Sequence, residues 1–299
     1  LKKVLLLIPQ NIIPVTDGGK AGLFYPMCLL AKHFEVKAFV FINQNEVVNE
    51  LAYKEHHVDV HFLSINKKDT PFNIVSNFFY ELPFKFKKYY TQKHKRTIEN
   101  VCINWQPQTI ICHHAHLAAY CKQLRKLLPN AQLILREHNI EYLLVYQFYQ
   151  LNKNILAKAI AYWQYKKTKA VEEKSWNIFD KVLFISDTDY ALVPTAIQHT
   201  KGIVLYDGGN VHIDTTVHKK PYFLFTGKVT VLQNQKNIEN FIFNIWIPWK
   251  NTYNTKDFEL WITGSKQEEF QKYISISTDD LIKYNIVIKG FVDDLVLTV

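Results

Sequence analysis

Short apolar runs recur along the first part of the chain, each followed by a longer stretch in which apolar residues return at helical spacing. The runs are Val4–Ile8, Val36–Ile42, Val58–Leu63, Thr109–Cys112, Gln132–Leu135, Val182–Ile185 and Ile203–Leu205. Runs this short, without alternation of polar and apolar positions, suit strands covered on both faces. They predict a parallel sheet with helices on each side. After the polar segment 212–220 a second series begins: strand Tyr222–Thr226, an amphipathic helix over Asn237–Trp249, strand Phe258–Ile262, helix Gln267–Ile274 and strand Ile286–Lys289. The polar stretch is the one convincing linker, giving an α/β first domain over 1–212 and a second over 213–299. A βα unit takes ~30 residues, so the second domain has room for about two or three units and is expected to be incomplete. No solenoid-period repeat or low-complexity tract interrupts the pattern.

At 299 residues, 48% apolar and 21% charged, the chain has the usual mix of a globular protein. Disorder, collagen and disulfide miniproteins fit poorly. The net charge of +9 attracts polyanions, whether nucleic acid, anionic lipid headgroups or a phosphate-bearing ligand. Most of that charge is Lys in a chain rich in Lys, Asn, Ile and Tyr, a bias that an AT-rich genome also produces, so charge alone does not choose the partner. Cys28, Cys102, Cys112 and Cys121 form no C-x-x-C pair and no zinc spacing; they read as reduced core thiols of a cytosolic protein. No stretch reaches the ~18 apolar residues of a membrane span, and Val4–Ile8 is too short for a signal-peptide core. The first residue is Leu, so an initiating Met is expected upstream.

Several loops place chemistry where open α/β sheets bind ligands, outside the carboxyl ends of strands. Asp17-Gly18-Gly19 lies between the first strand and a helix starting near Ala21; it reads either as a phosphate-binding turn or as a tight turn needing positive φ. The full G-x-G-x-x-G pattern is absent, which argues against a nicotinamide enzyme. His113-His114-Ala115-His116 follows the strand Thr109–Cys112. Metal is the poorest reading of it, because no matching carboxylate is evident and adjacent side chains on an extended segment diverge. Two of the three histidines suit capping or satisfied positions, and His113 is the functional candidate. Arg136-Glu137-His138-Asn139-Ile140-Glu141 ends the next strand and opens onto the same crevice, with a charged loop and helix cap as its plainer reading. Asp187-Thr188-Asp189 resembles a metal-binding D-x-D, yet a helix capped by Ser186 or Asp187 explains it more simply.

Pro83–Arg96 interleaves aromatics with Lys85, Lys87, Lys88, Lys93, His94 when protonated, Lys95 and Arg96. Residues 84–96 could meet an anionic membrane surface; a helix with a solvated basic side is the commoner explanation. In the second domain, Gly227 and Lys228 end the first strand where a diphosphate could dock, and Lys236 with Asn237 leads into a helix whose amino end favours anions.

Taken in order, these residues resemble a known family. The Asp17-Gly18-Gly19 turn, Pro107 with His113, Arg136-x-His138-Asn139-x-Glu141, Glu172 before Asp180-x-x-x-x-x-Ser186-x-x-Asp189, the Gly208-Gly209 turn, Phe225-x-Gly227, Asn234, Ile245-Trp246-x-Pro248, Ile262-x-Gly264 and Gly290-x-Val292-x-Asp294 resemble retaining family-4 glycosyltransferases of the GT-B fold, particularly the bacterial exopolysaccharide branch. The resemblance implies two Rossmann-like domains across a cleft, with parallel sheets and helices on both faces. It implies transfer of a sugar from a nucleotide-diphosphate sugar to a glycan or lipid-linked acceptor, with retention and without a metal or other cofactor. By match, Gly18 and Gly19 approach the donor diphosphate, and His113 and His138 contact the transferred sugar or acceptor with Asn139 and Glu141 in support. Gly227 and Lys228 meet the diphosphate, and the Gly290–Val292 turn lies near the base. Such enzymes use front-face attack, in which the departing phosphate helps deprotonate the acceptor hydroxyl. The implied location is the cytoplasm, peripheral on the inner face of the plasma membrane, with no nucleic-acid partner.

The chain departs from the family in places. Val231 and Gln233 stand where Trp and Pro are usual, and Ile111 replaces the first His of His-x-His. The sequence stops at Val299, before the family's glycine-rich loop and E-x7-E-type acidic motif. A fragment of an active transferase and a non-catalytic sugar-nucleotide or glycan binder are both consistent with that. A basic nucleic-acid-binding module is a third reading, marked by steep salt dependence.

Overall fold

A computed structural model describes residues 1–65, 70–208, 222–253 and 257–292. The chain divides into two compact units, Leu1–Gly209 and Asn210–Val299. The linker 212–220, with the boundary at 212/213, lies outside the described residues, as do Gly209 and Asp294 of the sequence motifs.

In the first unit the elements run β1 (Lys3–Ile8), α1 (Gly18–Ala31), β2 (Glu35–Asn43), α2 (Glu50–Glu55), β3 (Val58–Ile65), α3 (Pro71–Ser76), α4 (Phe84–Tyr89), α5 (Gln92–Trp105), β4 (Thr109–His113), α6 (Ala118–Leu127), β5 (Gln132–Glu137), α7 (Glu141–Leu151), α8 (Ile155–Trp176), β6 (Lys181–Phe184), α9 (Asp187–Ala191), α10 (Thr195–Thr200) and β7 (Gly202–Val204). The seven strands form one sheet in the order β3-β2-β1-β4-β5-β6-β7, every neighbouring pair parallel. The run Val4–Ile8 is uniformly apolar because both sheet faces are covered. Leu5 and Leu7 pack with Ile98 and Cys102 of α5, Tyr120 of α6 and Trp176 of α8, whereas Val4, Leu6 and Ile8 pack with Leu23 and Met27 of α1 and Tyr53 of α2. Each such buried side chain contributes roughly 2 kcal/mol of transfer free energy.

The second unit contains β8 (Tyr222–Thr226), α11 (Leu232–Phe241), α12 (Ile247–Thr252), β9 (Glu259–Thr263), α13 (Gln267–Tyr273), α14 (Thr278–Lys283) and β10 (Ile286–Gly290), with a π turn over Ile242–Trp246 joining α11 to α12. The sheet order is β10-β9-β8, all parallel, over a core that includes Ile238, Trp246, Ile262 and Phe270. The helix expected over Asn237–Trp249 begins instead at Leu232, so Lys236 sits inside it rather than at its anion-favouring end. Cys102, Cys112 and Cys121 are buried and Cys28 is half-buried, all as free thiols. Among the described residues, no helix is long and apolar enough to cross a membrane.

Candidate functional site

The strand order fixes where a ligand can enter the first unit. The chain winds outward from β1 through β2 and β3 on one side and from β4 through β7 on the other, so the crevice opens at the carboxyl ends of β1 and β4. The loop after β1 delivers Asp17 and the start of α1. The end of β4 delivers His113 and His114, and the loop after β5 delivers His138 through Glu141.

His113, His114, His138 and Glu141 form one largely buried cluster. His113 Nδ1 lies 3.1 Å from His138 Nε2, with both rings nearly excluded from solvent. His114 stacks on His138 at 4.7 Å and on His116 at 5.3 Å between ring centroids. His114 Nδ1 is 3.2 Å from Glu141 Oε1, His116 Nε2 is 3.0 Å from Glu141 Oε2, off the hydrogen-bond direction, and Lys85 Nζ donates to Glu141 Oε2 at 2.9 Å. His114 adopts a φ of +67°, a sparsely populated conformation for a side-chain-bearing residue and one that concentrates at functional sites. Beneath the cluster, Glu172 of α8 accepts the N–H groups of Glu141 and Tyr142, satisfying the first amides of α7. Glu137 accepts from Trp176 Nε1 and from the Ala115 N–H.

Burial sets the protonation states here. It holds His113 well below the ordinary imidazole value, with the charges of His138, Arg136 and His114 acting in the same direction. His138 is pushed down to about 3 by burial, helped by His114 and Arg136. Burial also lowers His116, against the pull of Glu141. Burial pushes Glu141 up, but His116, His114 and Lys85 outweigh it and hold the carboxyl well below its usual range. Glu137 and Glu172, buried with no cation beside them among the described residues, are raised to about 8 and about 10. The result is neutral imidazoles at His113 and His138 beside one ionised carboxylate, Glu141, with two neutral carboxyls behind it.

On the sequence alone no carboxylate meets the histidines, which makes metal their poorest reading. The fold brings Glu141 to both His114 and His116, and three donor atoms of this trio lie within 4.8 Å of one another. Neutral imidazole and carboxylate form a donor set that can hold a divalent cation. The Lys85 ammonium occupies one Glu141 oxygen and supplies positive charge there itself. Asn139 is exposed at the rim. Lys85 belongs by sequence to the basic segment, and its pairing with Glu141, 56 residues away, like that of His114 and His116, is visible only in the fold.

Gly18 and Gly19 are not a positive-φ turn. They are the first two residues of α1, with Asp17 as N-cap accepting from the Lys20 N–H at 3.0 Å. Their amides belong to the helical turn that has no preceding carbonyl partners, in a 14-residue helix. One turn on, an added Cβ at Gly22 would meet Asp207 Oδ2 at 3.0 Å, and Asp207 is ion-paired with the buried Arg136. Ser186 caps α9 by accepting from the Asp189 N–H, so the D-x-D-like triplet is the first turn of a helix. Gly208 has open space around it.

In the second unit, three glycines meet at the carboxyl edge of the sheet. An added Cβ on Gly264 would come within 2.9 Å of the Gly227 backbone, and one on Gly227 within 2.8 Å of Asn234 Nδ2. The Gly264 N–H donates to the Gly290 carbonyl at 2.7 Å. The motif residues Gly227, Asn234, Gly264 and Gly290 are thus one constellation, with Lys228 following Gly227 and Val292 just past Gly290. A neighbouring open depression of about 350 Å³ is lined by Gly264, Ser265, Lys266, Glu268, Glu269 and Phe291. Lys236 does not join this edge; it pairs along α11 with Glu239 at 2.9 Å.

The basic segment 84–96 also differs from expectation. It is two helices broken at Tyr90 and Thr91, with Phe86 buried and Tyr89 and Tyr90 packed on the core. His94 is buried, and burial lowers its pKa, so it adds no charge to the surface.

No protein-family model matches the chain. No curated protein matches it either. Solved structures do. A sucrose-phosphate synthase from Thermosynechococcus elongatus is 13% identical with a TM-score of 0.64, the match covering 98% of this chain and 71% of that one. The lipopolysaccharide outer core galactosyltransferase WaaB, in its apo form, is 12% identical with a TM-score of 0.54, over 98% and 69% of the two chains. S. aureus TarM, solved in complex with α-GlcNAc-glycerol and UDP, is 8% identical with a TM-score of 0.51, over 98% and 78%. The seven-stranded and three-stranded parallel sheets, with helices on both faces, are therefore the α/β architecture of the GT-B fold.

Proposed function

We propose that the chain belongs to a retaining, metal-independent glycosyltransferase of family 4 that moves a sugar from a nucleotide-diphosphate donor to a glycan or lipid-linked acceptor in cell-surface polysaccharide synthesis. The observation that carries this reading is the buried cluster of His113, His138 and Glu141 at the switch point of a GT-B sheet. Neutral imidazoles at that position can donate or accept a hydrogen bond to a sugar hydroxyl without introducing a charge that water would have to solvate. Glu141, held by His114, His116 and Lys85, positions the histidine stack. The first-turn amides of Gly18 and Gly19 favour an anion. In the second unit the glycine edge, with Lys228, suits close approach of a diphosphate, and the depression beside Phe291 suits a nucleoside base, since Glu268 and Glu269 would repel phosphate there. Lys228 takes the place of a metal cation for the leaving group.

The test is donor-dependent transfer with a panel of UDP-, GDP- and ADP-sugars against lipid-linked acceptors, read as nucleoside diphosphate release and by the anomeric configuration of the product. Transfer with retention that survives chelator and is abolished in His138→Ala supports the reading. An inverted product, or undiminished turnover in His138→Ala, overturns it. Saturable nucleotide binding with no turnover identifies a non-catalytic binder.

A further inference from the structure

His116 is buried, and neither of its ring nitrogens has a hydrogen-bond partner among the described residues. The ring is held by three neighbours. Tyr89 stacks on it at 5.4 Å between centroids, Phe86 meets it edge-on at 5.3 Å and His114 stacks on it at 5.3 Å. A phenyl ring would fill that slot without stranding a polar atom, and a buried nitrogen left without a partner is costly. Packing therefore does not account for an imidazole here, whereas a ligand on its nitrogen would. The nearest polar side chain is that of Glu141. Its Oε2 lies 3.0 Å from His116 Nε2 without the alignment of a hydrogen bond, and its Oε1 lies 3.2 Å from His114 Nδ1. Close contact without alignment is how two ligands of one ion sit, because each directs its lone pair at the ion rather than at the other.

The spacings and the donor types select the ion. Around a tetrahedral ion with bonds of roughly 2.0–2.1 Å to nitrogen and oxygen, neighbouring ligand atoms lie about 3.3 Å apart. The three donor atoms here are all within 4.8 Å of one another, so small side-chain rotations close the set. Two imidazoles and one carboxylate suit zinc and the neighbouring transition metals, whereas magnesium and calcium take mainly oxygen ligands. A cation is already held at this carboxylate, since Lys85 Nζ donates to Glu141 Oε2 at 2.9 Å. The Lys85 side chain is 51% exposed and that of Glu141 is 2% exposed. The ammonium thus reaches in from solvent, and its withdrawal opens the entry path that an ion needs.

We infer that His114 Nδ1, His116 Nε2 and the Glu141 carboxylate form a binding site for one zinc-class divalent ion, for which the Lys85 ammonium competes. The ion is an alternative occupant to Lys85 and takes no part in the proposed transfer. The site goes beyond that reading, and its test uses no sugar donor.

The experiment is calorimetric titration of chelator-stripped protein with Zn²⁺ and, separately, with Mg²⁺. Zn²⁺ should occupy a site that Mg²⁺ neither fills nor blocks, and Co²⁺ bound there should show the intense visible bands of a tetrahedral site. His116→Phe keeps the ring packing, removes the nitrogens and should weaken Zn²⁺ binding about a hundredfold or more. His114→Asn tolerates the positive φ at that position and should cause a similar loss. Lys85→Met removes the charged hydrogen bond that the ion displaces and should tighten binding about tenfold or more. His56→Gln/His57→Gln, at an exposed pair just past α2, should leave affinity unchanged. Melting curves check that each variant is folded. Absence of Zn²⁺ binding to the unaltered chain overturns the inference, as does Mg²⁺ binding of equal strength. Unchanged affinity in either folded ligand variant overturns it too, as does binding lost with His56 and His57, which marks an adventitious surface ion only. Unchanged affinity in Lys85→Met overturns the competition.

Discussion

His113 Nδ1 and His138 Nε2 face each other at 3.1 Å, and with both rings neutral a single proton must lie between them. If His113 donates, His138 carries its own proton on Nδ1 and presents a donor; if His138 donates, its Nδ1 is an acceptor. The tautomer of one ring thus sets what the other offers a sugar hydroxyl. His138→Ala should reduce the turnover number by about a hundredfold or more. His113→Asn, which retains a polar side chain beside His138, should fall between that variant and the unaltered protein. Steady-state turnover at saturating donor separates the three.

The cluster also fixes how stability responds to pH. His113, His116 and His138 are depressed in the folded state, so below the ordinary imidazole value the unfolded chain binds more protons and stability falls with pH. Glu137 and Glu172 are raised to about 8 and about 10, so above the ordinary carboxylate value the folded state binds more protons and stability falls as pH rises. Three imidazoles oppose two carboxyls up to about pH 6.5, and above that only the carboxyls act. The melting temperature should peak near that pH and decline toward about pH 8. The limiting slope is about 1.4 kcal/mol per pH unit for each carboxyl. Glu137→Gln should flatten the alkaline decline, as read from melting curves across pH; a slope unchanged in that variant would contradict the assignment.

Arg136 is buried, its Nε has no hydrogen-bond partner among the described residues, and Asp207 is its counter-charge. Asp207→Ala should therefore destabilise the chain by roughly 1–3 kcal/mol in urea unfolding. Gly22 supplies a sharper test, because an Ala there gains helix propensity of up to about 1 kcal/mol but brings its Cβ to 3.0 Å from Asp207 Oδ2. In the unaltered chain the two effects offset. In the Asp207→Ala background the clash is gone and Gly22→Ala should stabilise. The pair should be non-additive by about 1 kcal/mol.

What the sequence made legible follows from how many faces an element buries. The central strands are short apolar runs because helices cover the sheet on both sides, and all seven runs lie within a residue or two of the strands β1 through β7. The start of α11 was not legible, because Gln233, Asn234 and Gln235 show no apolar periodicity and Lys236-Asn237 resembles a helix entrance. Gly18 and Gly19 suggested a turn by residue type, whereas the Asp17 cap carries them into a helix. The supports of the site were illegible for a different reason. Lys85 meets Glu141 across 56 residues and Arg136 meets Asp207 across 71, and no local pattern encodes a pairing between loops. His94 sat in a basic run that looked solvated, and only packing reveals that it points inward.

The glycines at the two sheet edges differ in what they permit, and substitution separates structure from ligand contact. Gly264 has a φ of +94° and an added Cβ would lie 2.9 Å from the Gly227 backbone carbon, so neither the conformation nor the space admits a side chain. Gly264→Ala should cost about 2 kcal/mol or more, combining left-handed strain with displacement of a backbone that cannot move aside cheaply. Gly18 sits in the first turn of α1 with nothing within 4 Å of an added Cβ. Gly18→Ala should leave stability unchanged or raise it by a few tenths of a kcal/mol. If the α1 amino end receives a diphosphate, the added methyl obstructs close approach, and titration calorimetry with nucleoside diphosphate should show weaker binding in a fully folded variant. Unchanged affinity in Gly18→Ala would remove the first-turn amides from the donor site, and the histidine cluster's contact with the sugar would then need a different source of charge stabilisation.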